Sequence, residues 1–186
     1  FQIIGCRIAN LPPRTKALGC IGRKMEDSMA DLLLGQVIRF DGDPIAQPDV
    51  AQVLTEGGVL VDQGRIAAVG QAADLRSRHP QARVHDHGQK LISAGFIDAH
   101  VHYPQTAIIA SWGKRLIDWL NAYTFPEEMR FADPAYATEI AGRYLDLVLA
   151  RGTTSVCSYA TIHPASVDAI FTAAQTRGMR LFAGKT

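Results

Sequence analysis

The 186 residues predict an α/β chain, in which part of a small β-layer leads into the first strands and helices of a parallel barrel. Three observations carry that expectation. Short runs rich in Val, Ile and Leu, punctuated by Gly, Asp and Pro, crowd residues 33–86. Beyond them, strand-like and helix-like periods alternate, the order that builds right-handed parallel crossovers. The chain is also shorter than the about 250 residues of a closed barrel. Three barrel strands alone would leave an unpaired edge and uncovered apolar faces, so instability or aggregation is expected of them in isolation.

Composition narrows the function classes. With 47% hydrophobic and 20% charged residues, the chain has the makings of a packed core rather than general disorder. A net charge of +1 gives no broad basic field for nucleic acid. No apolar run approaches the about 20 residues that cross a membrane as a helix. Cys6, Cys20 and Cys157 are scattered and form no C-x-x-C pair, which favours a reducing, cytoplasmic compartment over a disulfide framework.

Residues 1–28 show neither period and are expected to be a poorly ordered extension, with Met29-Ala30 a candidate start. Residues 29–90 hold the β-layer. A strand over 34–40 stops at Asp41-Gly42-Asp43-Pro44. Gly57-Gly58 reads as the opening of a second piece, in which Val59-Leu60-Val61 and Ile66-Ala67-Ala68-Val69 flank Asp62-Gln63-Gly64 as a hairpin. A helix over 72–78 ends before Pro80, and residues 84–86 lead into the next strand.

Residues 91–186 hold the barrel part. Leu116, Ile117, Trp119, Leu120 and Tyr123 recur at helical spacing and predict an amphipathic helix with Trp119 in the core. Pro126-Glu127-Glu128 reads as a first helical turn whose acids face water and complement the dipole. Asp133-Pro134 caps a helix running to about Arg151, with Ile140, Ala141, Tyr144, Leu145 and Val148 inward and Gly152 as its stop. A strand over 153–159 follows. Next come a helix over 164–177 with Val167, Ile170, Phe171 and Ala174 inward, a stop at Gly178, and a strand over 179–183.

Residues 91–102 read as one strand ending in two histidines. Alternation puts Asp98, His100 and His102 on one face and Ile97, Ala99 and Val101 on the other. The C-terminal end of a barrel strand is where such folds keep their chemistry. Two imidazoles supply part of a catalytic zinc site, which needs a third protein ligand and an open position. They are equally compatible with satisfied core polar residues. His85-Asp86-His87 has the same spacing but sits in a polar stretch running into Gly88, and reads as no site. Asp98, two residues deeper, is placed to orient a ligand. His163 reads as packing where a helix begins, and Cys157 as a small core residue.

Gly95-Phe96-Ile97-Asp98-Ala99-His100-Val101-His102 resembles the signature of the amidohydrolase superfamily, whose histidine pair closes the first barrel strand and binds the metal. Gln105, Asp118-Trp119-Leu120, Tyr123-Thr124-Phe125-Pro126-Glu127 and Ala160-Thr161-Ile162-His163 resemble the guanine deaminase family within it, and the likeness spans roughly residues 33–185. The resemblance implies a truncated TIM-type amidohydrolase barrel, its first three βα units, beside the N-terminal part of a small β-sandwich domain. It implies His100 and His102 as ligands of Zn2+, and Gln105, with a secondary contact from His102, as binding residues for guanine. A glutamine amide offers both acceptor and donors, which suits a mixed purine edge. Guanine would be hydrolysed to xanthine and ammonia. The remaining ligands and a proton-carrying glutamate are expected beyond Thr186, so no catalytic residue is assigned within the chain. The 186 residues alone are expected to be an inactive N-terminal fragment of an enzyme that is homodimeric when full length.

One departure is that Ala94 stands where the superfamily usually has proline, which is expected to loosen the strand's start without disturbing the pair. The H-x-E and P-C-x-x-C motifs of base-flipping zinc deaminases do not occur, which argues against a polynucleotide substrate. The other readings are a related amidohydrolase that deaminates or dechlorinates another aminated heterocycle, and a non-catalytic remnant.

Overall fold

The computed structural model describes residues 4–5, 29–113 and 115–186, and the chain divides into two compact units between Ala94 and Gly95. Of the extension expected over 1–28, all but Ile4 and Gly5 lies outside the described residues.

The first unit holds one five-stranded sheet, made of β1 (Ile4–Gly5), β2 (Asp31–Phe40), β3 (Ala51–Asp62), β4 (Arg65–Gln71) and β5 (Arg83–Ser93) in the order β1-β5-β2-β3-β4. β5 runs parallel to β1 and β2, while β2, β3 and β4 are antiparallel neighbours. The hairpin forms where turn chemistry predicts it: Asp62 pairs with Arg65, and Gln63 and Gly64 both take positive φ, 49° and 74°. That is the backbone whose twist matches the flanking strands. Gly57-Gly58 opens nothing and lies inside β3. A Cβ at Gly57 would stand 2.7 Å from Val37 Cγ2, so close approach of the sheet's own side chains explains the glycine. α1 (Ala72–Arg78) lays Leu75 over Leu32, Leu34 and Leu60, and Val37, Val59 and Ile92 make a second buried cluster.

The expected continuous strand over 91–102 is two strands. Leu91 and Ile92 belong to β5, paired with Gln36 and Val37. The chain leaves that sheet at Ala94-Gly95, and β6 (Phe96–His102) starts a separate one.

The second unit stacks β6, β7 (Thr153–Tyr159) and β8 (Arg180–Gly184) in parallel and in sequence order. Between β6 and β7 come a 3-10 segment (Tyr103–Ile108), α2 (Leu116–Trp119), α3 (Phe125–Met129) and α4 (Pro134–Ala150), and α5 (Pro164–Arg177) joins β7 to β8. α4 starts as expected, with the Asp133 carboxylate accepting from Ala135 N–H at 2.9 Å. Ile140, Ala141, Tyr144 and Leu145 are its buried stripe. α5 ends at Gly178, whose φ of 62° is the left-handed stop that glycine adopts without strain. The core gathers Tyr103, Phe131, Tyr144, Leu145, Val156 and Ile170. Each such side chain contributes about 1.5–3 kcal/mol by leaving water.

Three expectations need correction here. The amphipathic helix over 116–123 is broken: after α2 the chain widens into a π-turn (Leu120–Thr124), with Phe125 N–H bonded to Leu120 O. Pro126 has no N–H to give back to the preceding turn, and such a widening absorbs that loss. Leu116 is 72% exposed, Ile117 is exposed as well, and Trp119 is half-buried, donating its indole N–H to Ser111 Oγ at 2.8 Å. Phe171 faces solvent, its place in the α5 stripe being taken by Ser166 and Ala169. Cys157 is exposed, because Val156 and Ser158 occupy the buried face of β7 on either side of it.

Candidate metal and substrate site

The site is assembled on the C-terminal end of β6. Gly95 leads in: a Cβ there would stand 2.8 Å from Thr154 Cβ on β7, so only glycine lets the two strands meet. Phe96 N–H then bonds to Gly152 O at 2.8 Å. Ile97 lies opposite Ser155 and Asp98 opposite Val156, but Val101 lies opposite Ser158. β6 thus spends one residue more than β7 between Asp98 and Val101, a bulge. The Asp98 carboxylate accepts the His100 backbone N–H at 3.2 Å across this kink.

The bulge overturns strict alternation. Asp98 and Val101 stand opposite Val156 and Ser158, both buried beneath the helices, and the buried Tyr144 phenol on α4 is pushed up mainly by burial and further by the Asp98 charge. Asp98 is therefore separated from the imidazoles and shapes the backbone that carries His100. The apolar alternate face dissolves too: Ile97 is 76% exposed and Ala99 is exposed, leaving only Val101 packed on the core.

His100 and His102 come together. Their ring centroids are 5.4 Å apart with planes at 63°. Two imidazoles bound to one tetrahedral zinc, with Zn–N of about 2.0–2.1 Å, have centroids about 5 Å apart, which is close to this spacing. Among the described residues no group of three His, Cys, Asp or Glu side chains gathers. Tyr159, the last residue of β7 and the register partner of His102, closes the group. Its ring stacks on His102 at 4.7 Å and 22° and meets His100 edge-on at 5.2 Å. Sequence reasoning passed over Tyr159, although the logic that singled out the end of the first barrel strand applies equally to the second.

Gln105 sits on the 3-10 segment that follows His102. Fully buried Tyr103 anchors that segment, its N–H donating to Ser158 Oγ at 3.2 Å and its hydroxyl to Ser166 O at 2.5 Å. Gln105 Nε2 donates to Glu128 Oε1 at 3.4 Å. The neighbouring acid departs from the solvated role expected of it. Glu127 has a side chain only 7% exposed, and it accepts from the Tyr136 hydroxyl and from Arg130 Nη1 at 2.9 Å. The Arg130 guanidinium lies 3.8 Å over the Tyr136 ring. Glu127 thus pins α3 to α4.

The second unit's other histidine, His163, does not join the pair. His163 is the N-cap of α5, with its backbone N–H on Thr161 Oγ1 at 3.1 Å and its Nε2 buried without a partner. In the first unit His85 Nε2 and Arg83 Nε both meet Asp31 Oδ1 at 2.7 Å. These hydrogen bonds, Arg83's first, hold the Asp31 carboxyl below its ordinary range.

The amidohydrolase family profile matches residues 91–186, and the chain belongs to that family. A bacterial imidazolonepropionase-like composite domain profile matches residues 57–82. Among individual proteins the likeness is to guanine deaminases. That of Escherichia coli K12 is 37% identical over 150 residues, covering 80% of this chain and 34% of the relative. The crystal structure of guanine deaminase from Bradyrhizobium japonicum superposes with a TM-score of 0.79 at 31% identity, over 84% of this chain and 35% of that one. The guanine deaminase of C. acetobutylicum with guanine bound in its active site gives 0.72 at 28%, over 83% and 36%. The chain spans about a third of the length of the curated relatives it matches.

Proposed function

We propose that the protein carrying these residues is a zinc-dependent guanine deaminase, which hydrolyses guanine to xanthine and ammonia. The observation that carries this is the pairing of His100 and His102, 5.4 Å apart at the end of β6, with Gln105 held just beyond them. The guanine deaminase relatives support guanine as the substrate. In this reading the second unit, Gly95–Thr186, is the start of a TIM-type barrel, and the first unit holds part of a β-sandwich. A cytoplasmic homodimer acting on the free base completes it.

His100 and His102 would hold zinc, and zinc supplies the Lewis acidity that brings the pKa of water down towards about 7. The chain's own residues do the rest of what falls to this region. Asp98 fixes the backbone turn from which His100 projects. Gln105, with one N–H committed to Glu128, has its carbonyl oxygen and second N–H for the edge of the purine.

Incubation of the enzyme with guanine should release xanthine and ammonia in equal amounts, and His100→Ala should abolish both bound zinc and turnover. Gln105→Ala should lower kcat/KM by about 10–100-fold through a group left unpaired on the base. Turnover of another aminated heterocycle with guanine untouched would overturn the substrate. Full zinc content in His100→Ala would overturn the metal site.

A further inference from the structure

We infer that Tyr159 is a positioning residue for the metal-binding imidazoles, an inference resting on the reading of His100 and His102 as zinc ligands. Parallel pairing puts Tyr159 directly across from His102, on the same face. Its ring covers one flat side of His102 at 4.7 Å and touches His100 edge-on at 5.2 Å. A histidine at a strand end has a broad, two-fold χ2 preference, so its nitrogens sweep a wide arc unless something fixes the plane. Covering one face leaves the ring edge, where the nitrogens lie, as the free direction. Both rings thus lose the freedom that metal binding would otherwise have to remove.

The role belongs to the ring rather than to the phenol, since no hydrogen bond ties the hydroxyl to either histidine. Tyr159 is 42% exposed, so replacing it does not open a cavity in the core.

The test is zinc affinity of the enzyme, measured by competition with a chromophoric chelator, for wild type, Tyr159→Phe, Tyr159→Leu and His100→Ala. NMR of the zinc-free protein reads the ring protons of His102 alongside. Tyr159→Leu should bind zinc about threefold to tenfold more weakly, the range of an aromatic contact, and Tyr159→Phe should restore wild-type affinity. The His102 ring protons should be shifted by ring current in wild type and Phe, and unshifted in Leu. Unchanged affinity in Tyr159→Leu, a Phe variant as weak as Leu, or unshifted His102 protons in wild type would each overturn the inference. Equal zinc content in wild type and His100→Ala would instead overturn the ligand assignment, and this inference with it, whatever the proton shifts show.

Discussion

Gly95→Ala tests whether the start of β6 is set by steric contact alone. The new methyl carbon would lie 2.8 Å from Thr154 Cβ, and because that atom rides on the backbone of β7, no rotamer can withdraw it. Relaxed carbon pairs sit at about 3.5–4.0 Å, so the strands must part by about 0.7–1.2 Å. They would part beside the Phe96 N–H bond to Gly152 O. Overpacking of this kind costs about 1–3 kcal/mol, and the strained backbone bond adds about 0.5–1.5. A stiffer unfolded chain returns about 0.4–1, so the net loss should be about 0.5–4 kcal/mol. Urea unfolding followed by circular dichroism measures it. Thr154→Gly removes the opposing carbon, so the double variant should be at least about 1 kcal/mol more stable than the sum of the single losses. A Gly95→Ala protein within about 0.5 kcal/mol of wild type, or a strictly additive pair, would refute the steric account.

Glu127→Ala should destabilise by about 1–3 kcal/mol, chiefly by leaving the Tyr136 hydroxyl without its acceptor. Arg130 is 56% exposed and returns to water, so loss of its ion pair adds little, and Arg130→Ala should cost distinctly less in the same unfolding measurement. Alkaline pH should weaken the fold. Tyr136 is pushed up to about 12, by burial first and then by its hydrogen bond to Glu127, and burial raises Tyr103 and Tyr144 as well. The folded state therefore keeps protons that the unfolded state sheds near pH 10. This stability is complete below about pH 10 and drains away as pH rises through 12, a slope that Tyr136→Phe should flatten in unfolding midpoints taken against pH. Under the proposed activity, Glu128→Ala should raise KM for guanine a few-fold with kcat nearly unchanged, and should add nothing in a Gln105→Ala background, as steady-state kinetics would show.

Where local chemistry decides, the fold was legible from residues alone. Asp62-Gln63-Gly64, Asp133-Pro134 and Gly178 each permit few backbone arrangements, and the hairpin, the start of α4 and the end of α5 fall where those residues put them. Where neighbours decide, it was not. Gly57-Gly58 carries the composition of a turn, yet Val37 and Leu34 press against it from the next strand, a constraint that exists only after pairing. The helix over 116–123 had the right period, but the π-turn at Leu120–Thr124, which Pro126 without its N–H follows, interrupts it. Glu127 looked like any first-turn acid because its partners, Arg130 and Tyr136, are supplied by later turns.

The candidate site shows the same division at closer range. His100 and His102 were legible because a histidine pair at a strand end is a local pattern, and the structure brings the rings together. The face assigned to Asp98 failed because alternation assumes one residue per rung, and β6 inserts an extra one between Asp98 and Val101. The sequence does hold a clue: aspartate readily accepts the backbone N–H two residues on, which bends the chain locally, and Asp98 does this to His100. That contact lies at the bulge, where Asp98 stands opposite buried Val156. Tyr159 meets the imidazoles because parallel register carries the end of β7 level with the end of β6. The geometry at the pair is thus a property of two strands and one kink, and substitutions at Asp98 or Tyr159 should change how the rings are held without removing a ligand.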